Sequence, residues 1–344
     1  MIIEFEDERM NVGKVSESVL KRSVLKYVQQ NNQSFDNACH LVQGAKIGAD
    51  CALFAVSKEI GNRMGSATAV AIGRHRMVAV EAMINACNNL ICGGVEAFGA
   101  EIALVLPEAL HESELRHMME ETAKFAEDHR ITILGGHTTV SSFVTETIAT
   151  VTVLGQGMGY ETKTMKPGMD VVMSKWIGLQ GTAKIAEARK EELEKRLPVR
   201  MIAEAKEFGR YMSILQEARI AMEAQACAMH DLSGGGIFRA LWELAEVAET
   251  GIRIEMKKIP VKQETIEICE VFGLNPYELL SGGAALFVAE NGELLVERLK
   301  EADIPAAVIG RLTDNNDRVM VTYSEDGEEI RFLERPKTDE FDKI

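Results

Sequence analysis

The sequence predicts an α/β chain of two domains, and three observations carry that expectation. Strand-like and helix-like runs alternate through both halves with no low-complexity tract. The 344 residues, 46% of them hydrophobic, supply core enough for two ordinary domains. Between the halves, Met165-Lys-Pro-Gly-Met-Asp170 sets Pro167 and Gly168 just ahead of a new apolar run, which marks a junction. The expected division is 1–160, 161–320 and a tail over 321–344.

Taken in order, Val19, Leu20, Val24, Leu25 and Val28 share one helical face, and residues 30–36 form a polar linker. A short strand is expected over 51–56. The low-polarity run 77–91 has helical spacing and reads as a buried helix. Residues 101–106 read as a core strand stopped by Pro107, which cannot donate to a ladder. An amphipathic helix then runs from Ser113 to His129. A strand over 131–134 leads into Gly135-Gly-His-Thr138, expected as a turn, and a further strand covers 147–154. In the second half a strand over 171–173 precedes helices across 181–226. There follow His230-Asp-Leu-Ser-Gly-Gly-Gly236, a helix over 237–250, a strand near 252–254, a helix over 262–272 and the apolar stretch 281–287.

Composition excludes several classes. A formal net charge of -15 with no clustered basic face argues against a nucleic-acid partner. The densest basic stretch, Arg189 to Arg200, is interleaved with Glu191, Glu192 and Glu194 and reads as a solvated helix. No stretch reaches the roughly 18 uncharged apolar residues of a membrane span, and the first residues lack a signal pattern. The six cysteines form no CxxC pair and sit among apolar neighbours, as thiols in a reducing compartment do. Cytoplasmic residence is the expectation.

Two glycine-rich segments are the candidates for chemistry. In Gly135, Gly136, His137 and Thr138, a turn would expose backbone N–H groups to an anion, with a hydroxyl and an imidazole beside them. A plain tight turn explains the same residues. In Ser233, Gly234, Gly235 and Gly236, the glycines lie directly before an amphipathic helix, where N–H groups and the helix dipole favour phosphate. Asp231 beside them suits a divalent cation bridging phosphate oxygens; a simple helix cap is the competing reading. Asp50, in Gly48-Ala-Asp50, is a second loop carboxylate, for which a turn aspartate is the alternative. Neither segment is a Walker A or a GxGxxG fingerprint. His111, His117 and His129 complete no metal motif and read as surface residues.

The motifs Gly48-Ala-Asp50, Asn88-Asn-Leu-Ile-Cys-Gly-Gly-Val-Glu-Ala97, Gly135-Gly-His-Thr138, Met165-Lys-Pro-Gly-Met-Asp170, Ile177-Gly-Leu-Gln-Gly-Thr182, His230-Asp-Leu-Ser-Gly-Gly-Gly236 and Leu280-Ser-Gly-Gly-Ala284 occur in the order seen in aminoimidazole-ribonucleotide (AIR) synthase-like proteins. The resemblance covers about residues 12–315. Within that superfamily the chain resembles the hydrogenase-maturation carbamoyl dehydratase branch, through Gly13-Lys14-Val15, the Gly-Gly-His-Thr form and Gly273-Leu-Asn-Pro-Tyr-Glu-Leu-Leu280. The resemblance implies a fold of α+β type, with a mixed four-stranded sheet flanked by helices in each domain. It implies a homodimer paired through its N-terminal domains, and ATP with Mg2+ in a cleft between domains and subunits. The chemistry it implies is ATP-dependent activation of an amide, thioamide or similar acceptor. Gly135 to Thr138 and Ser233 to Gly236 would contact phosphates, and Asp50, Asp231, Asn88 and Asn89 would face the metal.

The chain also departs from the family pattern. Asn88-Asn89 stands where the family usually has Asn-Asp, and Ser66-Ala-Thr-Ala-Val-Ala-Ile-Gly73 where it carries a further aspartate. Two metal carboxylates are thus replaced, and an amide oxygen ligates without bringing charge. The dehydratase works on a C-terminal cysteine, whereas the last cysteine here is Cys269. Three expectations follow: an ATP-dependent enzyme of unknown acceptor, a non-catalytic nucleotide sensor or scaffold dimer, or a maturation partner acting on another protein's cysteine.

Overall fold

The computed structural model describes residues 21, 25, 40–43, 51–55, 63–159, 165–324 and 327–344. The helix expected over 19–28, apart from Lys21 and Leu25, the linker over 30–36 and the Gly48-Ala-Asp50 loop lie outside the described residues. So do the Gly13-Lys14-Val15 positions.

In the first half, strands β1 (His40–Gln43), β2 (Ala52–Ala55), β3 (Arg63–Gly73), β4 (Glu96–Pro107), β5 (Thr132–Ser141) and β6 (Thr147–Gly157) form a six-stranded sheet in the order β1-β2-β3-β6-β4-β5. All neighbours are antiparallel except β4 and β5. Helices α1 (Val78–Cys92) and α2 (Glu112–Asp128) cross over on one face. In β3 the residues Gly65, Ala67 and Ala71 turn toward α1 while Thr68, Val70 and Ile72 face outward, the period-two pattern of a strand covered on one side.

The second half contains β7 (Asp170–Ser174), α3 (Leu179–Ala188), the single turn α4 (Lys190–Leu193), α5 (Val199–Lys206), α6 (Leu215–Glu223), β8 (Ala228–Asp231), α7 (Gly236–Ala248), β9 (Gly251–Glu255), α8 (Gln263–Phe272), β10 (Ala285–Ala289), α9 (Gly292–Glu301), β11 (Ala306–Thr313), β12 (Arg318–Ser324) and β13 (Gly327–Phe332). Its sheet is seven-stranded, in the order β13-β12-β9-β11-β7-β10-β8, with β12 and β9 parallel and the rest antiparallel. The chain is therefore an α/β molecule with two mixed sheets. Both sheets are larger than the four strands the resemblance implies, because β1 and β2 extend the first and β8, β12 and β13 widen the second. Residues 321–324 and 327–332, placed in the expected tail, are strand.

Helix α1 explains how the halves join. Its run Val-Ala-Val-Glu-Ala-Met-Ile-Asn-Ala-Cys-Asn-Asn-Leu-Ile-Cys is apolar around most of its circumference, as a helix covered on both sides must be. One side packs on β3, β4 and β6, and the other on α6 and β8 of the second half. A single core runs through it, from Leu53, Met83 and Leu90 to Ile214, Phe287 and Leu295. Gly94, at φ 72°, stops the helix, its N–H bonded back to the Ile91 carbonyl at 2.8 Å. Among the described residues, no helix is long and apolar enough to cross a membrane.

Candidate functional site

The last turn of α1 brings Asn88 and Asn89 to the second half, and successive residues of a helix point about 100° apart. Asn88 is buried, and its amide is used at both ends: the nitrogen donates to the Met212 carbonyl at 2.8 Å and the oxygen accepts from the Ile214 N–H at 3.1 Å. That pair fastens α1 to the start of α6. Asn89 instead meets Asp231, and with its amide nitrogen turned to the carboxylate it reaches both oxygens at 3.3 Å. Of the two asparagines expected at a metal, Asn89 is the one that faces the acid.

Asp231 ends β8, at the edge of the second sheet, where it pairs with Ala285 and is buried. The preceding His230 is also buried, with its Nε2 3.5 Å from Glu243 of α7. The following residues, Leu232 to Gly235, loop into α7. Gly235 and Gly236 both have left-handed backbones, φ 86° and 61°, which L side chains rarely adopt. A Cβ on Gly236 would lie 2.4 Å from the Tyr277 carbonyl, so this glycine is also demanded by the close approach of residues 277–279. Ser233 accepts a backbone bond from the Ser281 N–H at 3.3 Å, joining the loop to Leu280-Ser-Gly-Gly-Ala284.

That partner loop is held from behind by residues the sequence reading does not single out. Lys175, itself at φ 53°, is buried with its Nζ 2.9 Å from the Tyr211 carbonyl, 2.7 Å from that of Ser213 and 2.8 Å from that of Gly283. It also pairs with Glu217 at 2.6 Å. Burial pushes the ammonium down and the Glu217 carboxyl up; their mutual attraction and the three carbonyl acceptors favour the charged pair. Across the seam Glu81, at the start of α1, accepts from Gln180 at 2.8 Å and pairs with Lys184 at 2.6 Å and His75 at 3.4 Å. Burial raises the Glu81 carboxyl, but the His75 hydrogen bond and the Lys184 charge outweigh it and hold it below the ordinary value. Gln180 belongs to the Ile177-Gly-Leu-Gln-Gly-Thr182 motif, which was the available signal for this contact.

Gly135-Gly-His-Thr138 is not a turn. The strand continues from Thr132 through Ser141 as an exposed sheet edge, parallel to β4. The register shifts between Ala100 and Glu101, which pair with Ile133 and Gly135 and leave Leu134 over. At Gly136 a Cβ would stand 1.8 Å from the Ile102 carbonyl, so only glycine lets the two strands meet there. β5 pairs with β4 and packs on α2, while α7 packs on β8 and β9. Asn89 of α1 brings the first half to Asp231.

Among the described residues no group of three His, Cys, Asp or Glu side chains is placed to hold a metal ion. Next to the Ser233 to Gly236 loop stands Asp231, with an amide already on it, while the Glu81 carboxylate of the seam is taken up by Gln180, Lys184 and His75. Magnesium takes one or two protein carboxylates and completes its shell with water and phosphate oxygens, so the donor set fits such an ion only when a phosphate ligand accompanies it.

Comparison with known proteins assigns the class. The family description "AIR synthase related protein, N-terminal domain" matches residues 48–157 and "AIR synthase related protein, C-terminal domain" matches residues 166–322. The chain belongs to the AIR synthase related family. It is similar to a putative hydrogenase expression/formation protein of Methanocaldococcus jannaschii, 25% identical over 68% of this chain and 70% of that one. It is similar also to the carbamoyl dehydratase HypE of Rhodobacter capsulatus, 27% identical over 67% of this chain and 68% of that one. Its fold matches HypE in a crystal structure of a HypE–HypF complex, with TM-score 0.71 and 22% identity over 91% of this chain and all of the other. It also matches a HypE crystallised with ATP, with TM-score 0.63 and 16% identity over 95% of this chain and 98% of the other.

Proposed function

We propose that this chain binds ATP with Mg2+ at the seam between its halves and belongs to the ATP-dependent enzymes that activate an amide, thioamide or similar acceptor. The observation that carries the reading is the meeting of Asn89 and Asp231, one from each half, just ahead of the Ser233 to Gly236 loop. Asp231, Asn89, Asp50 and Asn88 are the residues proposed to face the metal. Ser233, Gly234, Gly235 and Gly236 are proposed at the phosphates. Magnesium would offset phosphate charge as transfer proceeds. Gly135, Gly136, His137 and Thr138 lie on a sheet edge and would reach a nucleotide only if a second copy presented that edge. A cytoplasmic homodimer is proposed accordingly, and the exposed Val70, Ile72, Leu134 and Val140 of the first sheet support it.

Titration calorimetry of ATP with and without magnesium tests the reading. Wild type is expected to bind, and Asp231→Ala to bind at least about tenfold more weakly, a loss of about 1.4 kcal/mol. Equal binding by both removes the role given to Asp231. A second reading is favoured by the same amide: a non-catalytic nucleotide sensor or scaffold, because Asn89 covers Asp231 without adding negative charge. Nucleotide-dependent phosphate release above background separates the enzyme from the scaffold.

A further inference from the structure

The glycine loop is already engaged by an anion, and the anion comes from this chain. Asp339, buried in the segment after β13, points its carboxylate at the loop: Oδ2 accepts from the Gly235 N–H, and Oδ1 from the Leu280 N–H at 3.1 Å and the Phe341 N–H at 2.7 Å. Two of these three donors belong to the two glycine-rich loops of the second half. Such converging backbone N–H groups are the arrangement by which proteins hold oxyanions.

The surrounding segment is tied down at further points, all on elements that carry the site. Arg335 bonds Glu243 at 2.9 Å, the glutamate that faces His230. Arg239 of α7 donates to the Pro336 carbonyl at 2.9 Å. Yet among the described residues the Nε of Arg239, a residue only 3% exposed, has no hydrogen-bond partner. It sits against the same glycine, 2.4 Å from where a Cβ on Gly235 would be. A buried guanidinium N–H without an acceptor is costly. A carboxylate spends its two oxygens on the loop N–H groups; a phosphate group has a third oxygen to offer.

The acids around Asp339 add to this. Burial raises its carboxyl above the ordinary value and Asp342 raises it further, against the three backbone donors. Glu278 beneath it is raised as well, by burial and by Glu340. The docked segment therefore buries two neighbouring acids, Asp339 and Glu340, with Asp342 and Glu278 close by.

We propose that residues 335–341 form a strap whose Asp339 carboxylate holds the place of a phosphate group, so that the loop is closed until a phosphate-bearing ligand displaces the strap and takes the Gly235 N–H, the Leu280 N–H and the idle Arg239 Nε–H. The proposal rests on the nucleotide reading above and adds regulation to it.

The test uses the full chain, with ATP and inorganic tripolyphosphate as probes. Asp339→Asn keeps the shape but replaces one of the two accepting oxygens by an NH2 that cannot accept, so a loop N–H loses its partner, and the variant is expected to bind both probes about tenfold more tightly than wild type. A purely structural tail predicts the opposite sign, lower melting temperature with unchanged or weaker binding, and that result overturns the strap. Wild-type hydrogen exchange provides a readout that needs no variant: saturating ATP should speed exchange of the Phe341 and neighbouring amides about tenfold, and unchanged or slowed exchange overturns the proposal. If ATP binds neither form but tripolyphosphate binds Asp339→Asn alone, the nucleotide reading falls and the strap stands. If neither probe binds either form, both fall.

Discussion

The two glycine-rich segments look alike in sequence and do different work. In Gly135-Gly136 the glycines settle a register: a bulge opposite Ala100 and Glu101 leaves no room for a Cβ beside the Ile102 carbonyl. In Gly234-Gly235-Gly236 the glycines set backbone direction, with two left-handed residues in succession turning an N–H toward a carboxylate. Glycine runs therefore report a backbone constraint first; whether that constraint serves a ligand depends on which way the N–H groups point. On the strand they are directed along the sheet, and at the α7 loop the Gly235 N–H joins those of Leu280 and Phe341 on one carboxylate.

The sharpest test separates neighbouring glycines on the first segment. Gly136→Ala must push apart two paired strands, since the clashing atom is backbone, and is expected to destabilise the fold by about 4 kcal/mol or more. Gly135→Ala, with nothing within 4 Å of its new Cβ, should stay within about 0.5 kcal/mol. Urea unfolding of the two variants measures the difference. Equal losses would mean that the bulge does not decide the register and that the contrast between the segments is wrong.

Legibility followed the range of the forces involved. The patterns of α1, α2, β4, β6 and α7 are local, and the spacing of their apolar residues was readable. β3 was not, because Ala67, Ala69 and Ala71 give its inner face too little contrast with Thr68 on the outer. Gly135-Gly136 suggested a turn since glycine is a poor strand former; the strand continues because β4 supplies a partner, a contact between distant residues. At the seam, Asp231 and the asparagine pair stood out as residues, but nothing local told Asn88 from Asn89. Their roles divide only when helix α1 meets Met212, Ile214 and Asp231. Asp339 lies 104 positions from Gly235, and one aspartate among the acids of 334–342 carries no mark of its partner.

The seam between the segments gives the next effect in size. Asn89→Asp would set a second carboxylate against Asp231, where the amide now reaches both oxygens at 3.3 Å. Like charges so close disfavour each other unless a cation joins them. The variant is expected to lose stability in chelator and to regain it with magnesium, by about 1.4 kcal/mol at ten times the dissociation constant. Wild type should show no comparable gain from magnesium alone. Thermal melts with and without the ion measure both, and a magnesium response equal in the two proteins would place the metal elsewhere.

The smallest effect contrasts two acids, one in each contact, whose pKa values move in opposite directions. Glu81, held by His75 and Lys184 against the cost of its burial, has its folded pKa below the ordinary 4.5. Its contribution is therefore complete above that value and is lost as pH falls through the lowered one. Asp339 has its folded pKa above the ordinary 3.8, chiefly through burial, so docking of its charged form is opposed. Its contribution is complete below 3.8 and declines as pH rises through the raised value. Urea midpoints across mildly acidic pH should show Glu81→Gln flattening the loss on the acid side, and Asp339→Asn flattening the decline on the other, each by less than about 1.4 kcal/mol, the worth of one pKa unit. If both variants flatten the same limb, the strap and the seam do not differ electrostatically, and the ease of displacing Asp339 has to come from the contacts of Arg335 and Arg239 rather than from its charge.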